Sequence, residues 1–286
     1  MIRFKELQDR IGRSWYKFRR NPVSLIGTGM VLFVLVLAIF APYIAPYPES
    51  ARKGVDLRNS FLPPSASHWF GSDEVGRDVL SRVLFGYRIS LKLAAVVLVI
   101  SVPFGVLMGL LAGYYGGWVE MVIMRLTDVF LSIPALAMAL AICAALTPNI
   151  ENAMLAVSSI WWTWYCRLVY GIALSVKNEE FVQASYLLGA SRIRIVLRDI
   201  LPNCLSPVIV KVSLDVGIVM LFGSGLSFLG LGVQPPKPGL GTMIAYGSQY
   251  LPEKWWLTVF PSLGLFFLIL GFNLFGDGLR DVLNES

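Results

Sequence analysis

The sequence predicts an all-α, polytopic membrane protein with six transmembrane helices, and three observations carry that expectation. Only 15% of the 286 residues are charged and 56% are hydrophobic, against about 25% charged in an average soluble domain. Charge-free runs recur at lengths suited to crossing a bilayer, which takes roughly 20 apolar residues per helix. Lys and Arg crowd ahead of the first such run.

The runs extend from Asn21 to Pro48, Leu93 to Val119, Val129 to Ile150, Val216 to Pro236 and Trp255 to Gly276. A further apolar stretch, 153–175, is broken only by Arg167. Six spans follow, near 23–44, 89–112, 121–146, 153–175, 205–229 and 256–276. The first is too long for a signal peptide, whose apolar region runs about 7–15 residues, so it reads as an uncleaved span.

Orientation follows from the basic residues. Arg3, Lys5, Arg10, Arg13, Lys17, Arg19 and Arg20 precede span one, and such segments stay on the cytoplasmic side. Six spans then return the C-terminus to the cytoplasm. The loop at 176–204 falls inside and holds Lys177, Arg192, Arg194 and Arg198, whereas the outer loop at 147–152 has no basic residue. In the long outer loop, 45–88, acids and bases nearly balance. The net charge of +6 is therefore mostly the tail, suited to anionic lipid headgroups or a partner, with no nucleic-acid patch.

Within the outer loop, residues 71–91 read as an amphipathic helix. Ser72 is the expected N-cap, and Asp73–Arg77 and Asp78–Arg82 stand at i,i+4 with the acid first. Two readings stand for it: an elbow that steers the chain into span two, or a docking surface for an external partner. The lone histidine, His68, reads as a loop residue. In span two, Gly105, Gly109 and Gly113 form overlapping GxxxG patterns that permit close helix approach.

The cytoplasmic loop after span four is the most informative segment. Residues 179–203 lack a Pro or Ser cluster. Phe181, Ala184, Leu188, Ile195 and Leu197 suggest two short amphipathic helices. Gly189 ends the first, Ser191 caps the second, and Pro202 marks the entry to span five. Rigid helices here suit a handle gripped by a soluble motor.

Enzyme chemistry has no foothold. The chain contains no Gly-Lys pair, hence no GxxxxGK[ST] phosphate loop. Cys143, Cys166 and Cys204 are scattered and predict neither disulfides nor a metal site. Ionisable residues inside spans are functional candidates by default. Arg125 and Asp128 are expected to pair. Asp215, in span five, has Lys211 one turn before it. Arg167 lies in the inner half of span four, and Trp161, Trp162, Trp164 and Tyr165 sit too deep for the outer aromatic belt, which Trp255 and Trp256 fit. For each of these, structural pairing or packing competes with a role along a translocation path, for which Asp215, Trp161, Trp164 and Arg167 are the candidates.

These segments resemble a known family. Gln183-Ala184-Ser185, then Gly189, then Leu201-Pro202 is similar to the EAA loop of permease subunits in binding-protein-dependent ABC importers, with Gln183 and Ser185 in place of the usual Glu and Ala. The stretches 70–91, GYYGG…R…D…SIP (113–134), LSFLGLGVQPP (226–236) and FNLFGDGLRDVLN (272–284) resemble the dipeptide/oligopeptide/nickel branch, in its C-type permease. Leu240-Gly241 replaces the usual Trp-Gly pair, and the end differs from the common Leu-Asp-Pro.

The resemblance implies a type I ABC importer (MetI-like) permease core at 87–277, in the cytoplasmic (inner) membrane. It would be preceded by a basic tail, first span and extracytoplasmic loop at 1–86 and followed by a cytoplasmic tail at 278–286. It also implies the partners: a paralogous permease, two ATPases carrying ATP and Mg, and an extracytoplasmic binding protein. This chain itself would hold no cofactor. The coupling loop would comprise Phe181, Val182, Gln183, Ala184, Ser185, Gly189, Ala190 and Ser191. Short peptides are the implied substrates, with nickel or another small solute as the alternative within the class. A self-sufficient secondary transporter would show internal repeats around a midplane site, and the halves show none.

Overall fold

The structure is a computed structural model that describes residues 19–51 and 54–284. The first eighteen residues, with most of the basic tail, and Arg52 and Lys53 lie outside the described residues. Helices make up most of the remainder.

Helix α1, Pro22–Ile44, starts where Asn21 accepts a hydrogen bond from the Val23 amide (2.9 Å) and proline takes the first turn. It packs along the last helix, with Gly27 so close to the backbone of Leu274 and Phe275 that a Cβ would lie 2.4 Å from the Phe275 nitrogen. Its remaining surface is apolar, including Leu32, Phe33, Ile39 and Phe40.

The expected surface helix at 71–91 is absent in that form. Residues 54–78 fold as a tight irregular loop, and α2 runs unbroken from Val79 to Tyr115. The reason is local. Gly71 and Gly76 adopt φ of 75° and 78°, and a Cβ on Gly76 would lie 1.8 Å from the Asp56 carbonyl, so the chain turns where a helix was expected. Asp78, not Ser72, is the N-cap, accepting from the Ser81 amide (2.8 Å) and hydroxyl (2.7 Å). The i,i+4 pairings change accordingly. Asp73 still meets Arg77 at 2.7 Å, but across a turn, and Arg82 reaches Asp73 (3.5 Å), not Asp78. Asp78 instead binds His68 (3.0 Å), which is buried and stacked on Tyr47. These charges are engaged inside the loop, which favours the elbow over a charged docking surface.

Replacing Asp78 by Ala is expected to lower stability by about 1–2 kcal/mol, the usual loss for an N-cap, with further loss from the orphaned His68. Asn at this position retains an acceptor and most of the stability. Thermal unfolding of the purified chain in detergent would separate the two variants.

Gly116 and Gly117, both at positive φ (68° and 55°), turn the chain from α2 into α3, Gly117–Ser132. Helix α4, Ala135–Ala145, follows at 89° to α3. The expected single span at 121–146 is thus sharply broken. Pro134 removes an amide and drives Ile133 into the extended region (φ −99°, ψ 133°), which no helix tolerates.

Helix α5, Ile150–Val176, lies against α2. The three glycines of α2 face it: a Cβ at Gly105, Gly109 or Gly113 would come within 2.4, 2.6 or 2.6 Å of α5 atoms. The short helix α6, Glu180–Leu187, leads into α7, Arg192–Phe228, which passes through a π-helical turn at Val196–Ile200. Helix α8, Leu240–Ser248, packs on α7 and on α9, Trp256–Asn284. Trp256 is buried and donates to the Ser72 carbonyl (3.3 Å), so only Trp255 of that pair is exposed as an interfacial residue would be. Cys143, Cys166 and Cys204 are free and buried.

By length and composition α1, α2, α7 and α9 can each cross a membrane, and the bent α3–α4 pair makes a fifth candidate. At 27 residues α5 has the length. Its four aromatics at 161–165 and Arg167 dilute its hydropathy.

Candidate functional site

Of the two short helices expected at 179–203, the first is α6, while the second is no separate helix but the start of the 37-residue α7, and the two meet in a helical corner. Helix α6 ends in a reciprocal cap: the Ala190 amide donates to the Ser185 carbonyl (3.1 Å), and Gly189, at φ 81°, makes the reversal. Ser191 caps α7, accepting from the Arg194 amide (3.4 Å). Val182, Ile195 and Ile200 are the buried side chains that seat the corner on the bundle.

The apolar face expected from Phe181, Leu188 and Leu197 is the opposite one and points outward. Phe181 is half exposed, Tyr186 64%, Leu187 83%, Leu188 87% and Ile193 68% exposed. Gln183, Ala184, Gly189 and Ser191 are exposed too, with Ser185 and Ala190 half-buried. Leu187, unlike Leu188, was not singled out from sequence. Its signal was there: two adjacent leucines before a terminating glycine, where one α-helical face has room for only one of them.

The corner stands at one end of the bundle. A cavity of about 450 Å³ beneath it is lined by Tyr114 and Tyr115 from the end of α2, and by Lys177, Gln183 and Arg192. Lys177 caps α2 by donating to the Gly113 carbonyl (2.8 Å). The loop expected outside, 45–78, clasps the other end of α2, where the Tyr47 amide donates to Ser81 (3.0 Å). A helix of 37 residues separates the two, about 55 Å. Helix α9 starts beside the outer loop at Trp256 and ends near Asp281, which accepts from Asn21 (3.2 Å) at the start of α1. The first and last described helices therefore meet at the end of the bundle away from the outer loop.

The intramembrane ionisable groups form two pairs. Asp215 accepts from Lys211 (3.2 Å) and from the Trp161 indole (3.0 Å), and is buried. Asp128 pairs with Arg167 across α3 and α5 in place of the expected partner Arg125, because the facing helix brings a guanidinium directly onto it. Trp161, Trp162 and Tyr165 are core residues, whereas Trp164 is 46% exposed. Of the four path candidates, Trp161 and Asp215 touch, while Trp164 and Arg167 stand one helical turn apart on the outer face of α5.

Known proteins place this architecture. Residues 105–286 match the family described as binding-protein-dependent transport system inner membrane component, and residues 10–64 match the N-terminal TM domain of oligopeptide transport permease C. The chain belongs to this family of inner-membrane transport components. Both matches together bear out the resemblance to the C-type permease subunit.

Among the relatives of this permease is the probable D,D-dipeptide transport system permease protein DdpC of Escherichia coli (strain K12). It is 42% identical over 95% of this chain and 90% of that protein. The dipeptide transport system permease protein DppC of Haemophilus influenzae is 37% identical over 95% and 93%. The glutathione transport system permease protein GsiD of Escherichia coli O6:K15:H31 is 40% identical over 95% and 89%. In fold, the permease is similar to a chain of the inward-facing MetNI methionine ABC transporter, at a TM-score of 0.55 and 18% identity over 71% of this chain and 95% of that one. The MetI-like, all-helical permease fold expected from the resemblance is therefore the fold observed.

Proposed function

We propose that this permease forms half of the pore of an ATP-driven importer for short peptides. The relatives named for dipeptide and glutathione transport support the substrate class. The observation that carries the mechanism is the α6–α7 corner, whose apolar tip, Leu187 and Leu188, is uncovered among the described residues. A soluble motor with a matching groove would bury that tip. On this reading residues 181–185 and 189–191 enter the groove of an ATPase. Two such ATPases bind ATP and Mg, a paralogous permease completes the pore, and an extracytoplasmic binding protein delivers substrate.

Six membrane crossings with both termini cytoplasmic fit this assignment. The handle and the first and last helix ends lie away from the outer loop, and α5 is long enough to supply the sixth crossing. Residues 1–86 then comprise the basic tail, an anchoring span packed on α9 and the outer elbow. Residues 87–277 form the moving core, and 278–286 the cytoplasmic end. ATP-driven closure of the motor rocks the core between inward- and outward-open states, exposing a path along Trp161, Trp164, Arg167 and Asp215.

Reconstitution tests the proposal. The permease pair, ATPases and binding protein in proteoliposomes should accumulate a labelled dipeptide only with ATP on the motor side. Accumulation by this chain alone under an ion gradient would overturn it.

A further inference from the structure

The two faces of the bundle differ in a way that identifies a substrate contact. The exposed side chains of α1 are apolar, as lipid requires. The side formed by α3, α5 and α7 instead presents Arg167 and Asp128 with side chains 48% and 45% exposed, and Lys211 at 28%. Half-exposed cations within spans are not stable against acyl chains and belong against water or protein. This side therefore faces water or another protein, as the wall of a polar path would.

Lys211 is the most closely positioned of these groups. Its ammonium donates to Asp215 (3.2 Å) and lies 5.7 and 5.4 Å from the ring centroids of Trp164 and Tyr165. Asp215 is fixed in turn by the Trp161 indole (3.0 Å). An ammonium has three donors. One is directed to Asp215, and aromatic faces attract the cation without using up its donors. Asp215 and Trp161 are buried, whereas Lys211 and Trp164 are open to the polar face. The buried carboxylate thus acts as a positioning residue, and the ammonium it holds keeps free donors on the solute side.

We propose that Lys211, held by Asp215 beside the Trp164 ring, receives the C-terminal carboxylate of a peptide in transit. The adjacent Arg167–Asp128 pair keeps the face balanced in charge, which suits a zwitterion. This inference rests on the reading of the chain as half of a peptide pore, and it adds a contact for one end of the substrate.

A charge-sign test separates the inference from that reading. Lys211→Cys is combined with Asp215→Asn, which keeps an acceptor for Trp161 and leaves no carboxylate to re-pair. The native cysteines are buried, so the new thiol is the accessible one. In the assembled transporter, this variant should lower maximal dipeptide uptake about tenfold, the scale of one charge-assisted hydrogen bond. The half-saturating concentration of loaded binding protein should not change. A thiol-specific aminoethyl reagent, which restores a cation, should return most of the uptake, and a sulfonatoethyl reagent should not. Modification by both reagents with equal uptake afterwards overturns the role of Lys211 and leaves the pore intact. A thiol that neither reagent reaches overturns the placement of the path on this face.

Discussion

Replacing Leu187 and Leu188 by alanine is expected to release the ATPase from the permease while leaving the chain folded in the membrane. Both leucines are more than four-fifths exposed, so their truncation removes no internal packing. Burying a leucine in a partner is worth about 1.5–3 kcal/mol. Losing two should weaken the association about a hundredfold or more. Gly189→Arg should act at the same place by another route. A Cβ there meets nothing within 4 Å, but φ is 81°, so a side chain costs roughly 1–2 kcal/mol of local strain and brings a charge to the apolar tip. Gly189→Asn, which accepts the left-handed conformation, should keep the complex. Co-purification of the ATPase from detergent extracts reads all three variants. Normal co-purification and transport by the leucine and arginine variants would remove the handle from residues 179–203.

Gly109→Leu should have the second large effect, on the permease itself. A Cβ at Gly109 would lie 2.6 Å from the Cys166 carbonyl and 2.8 Å from the Val169 Cβ. Neither backbone nor β-branched neighbour can retreat, so α2 and α5 must part along their shared face. Overpacking costs about 1–3 kcal/mol for small excesses, and a whole isobutyl group at a helix crossing exceeds that range. The folded, detergent-extractable chain should fall severalfold. Gly171→Leu is the matched control: it sits on α5 with nothing within 4 Å of its Cβ position and should accumulate normally.

These two sites show what sequence could and could not disclose. Charge-free runs locate helices because lipid excludes unpaired charge: five of the six expected spans fall on one continuous helix each, and the span at 121–146 falls on two. The α2–α5 contact was legible because only glycine permits that approach and its spacing marks one face. The cap at Gly189 was legible for the same stereochemical reason. The fold of 71–78 was not, since Asp73–Arg77 has the same spacing in a turn as in a helix. What decides is the left-handed backbone at Gly71 and Gly76, where a side chain would strike the carbonyls of Leu62 and Asp56. Arg167 was visible as a charge, but its partner Asp128 depends on how α3 meets α5, which no local pattern records. The α3–α4 break had a visible cause in Pro134. Apolar composition on both sides concealed it, because an unbroken hydrophobic run looks the same whether straight or folded back.

The continuity of α7 bears on how force is conveyed. The cap at Ser191, the π turn at Val196–Ile200 and the membrane segment to Phe228 share one backbone hydrogen-bond ladder. The exposed α6–α7 tip is thus attached to a single lever arm. At 1.5 Å per residue its 37 residues measure about 55 Å, and a tilt of roughly 10° about one end displaces the other by about 10 Å. On the proposed reading, a motor that moves the tip would tilt the whole of α7.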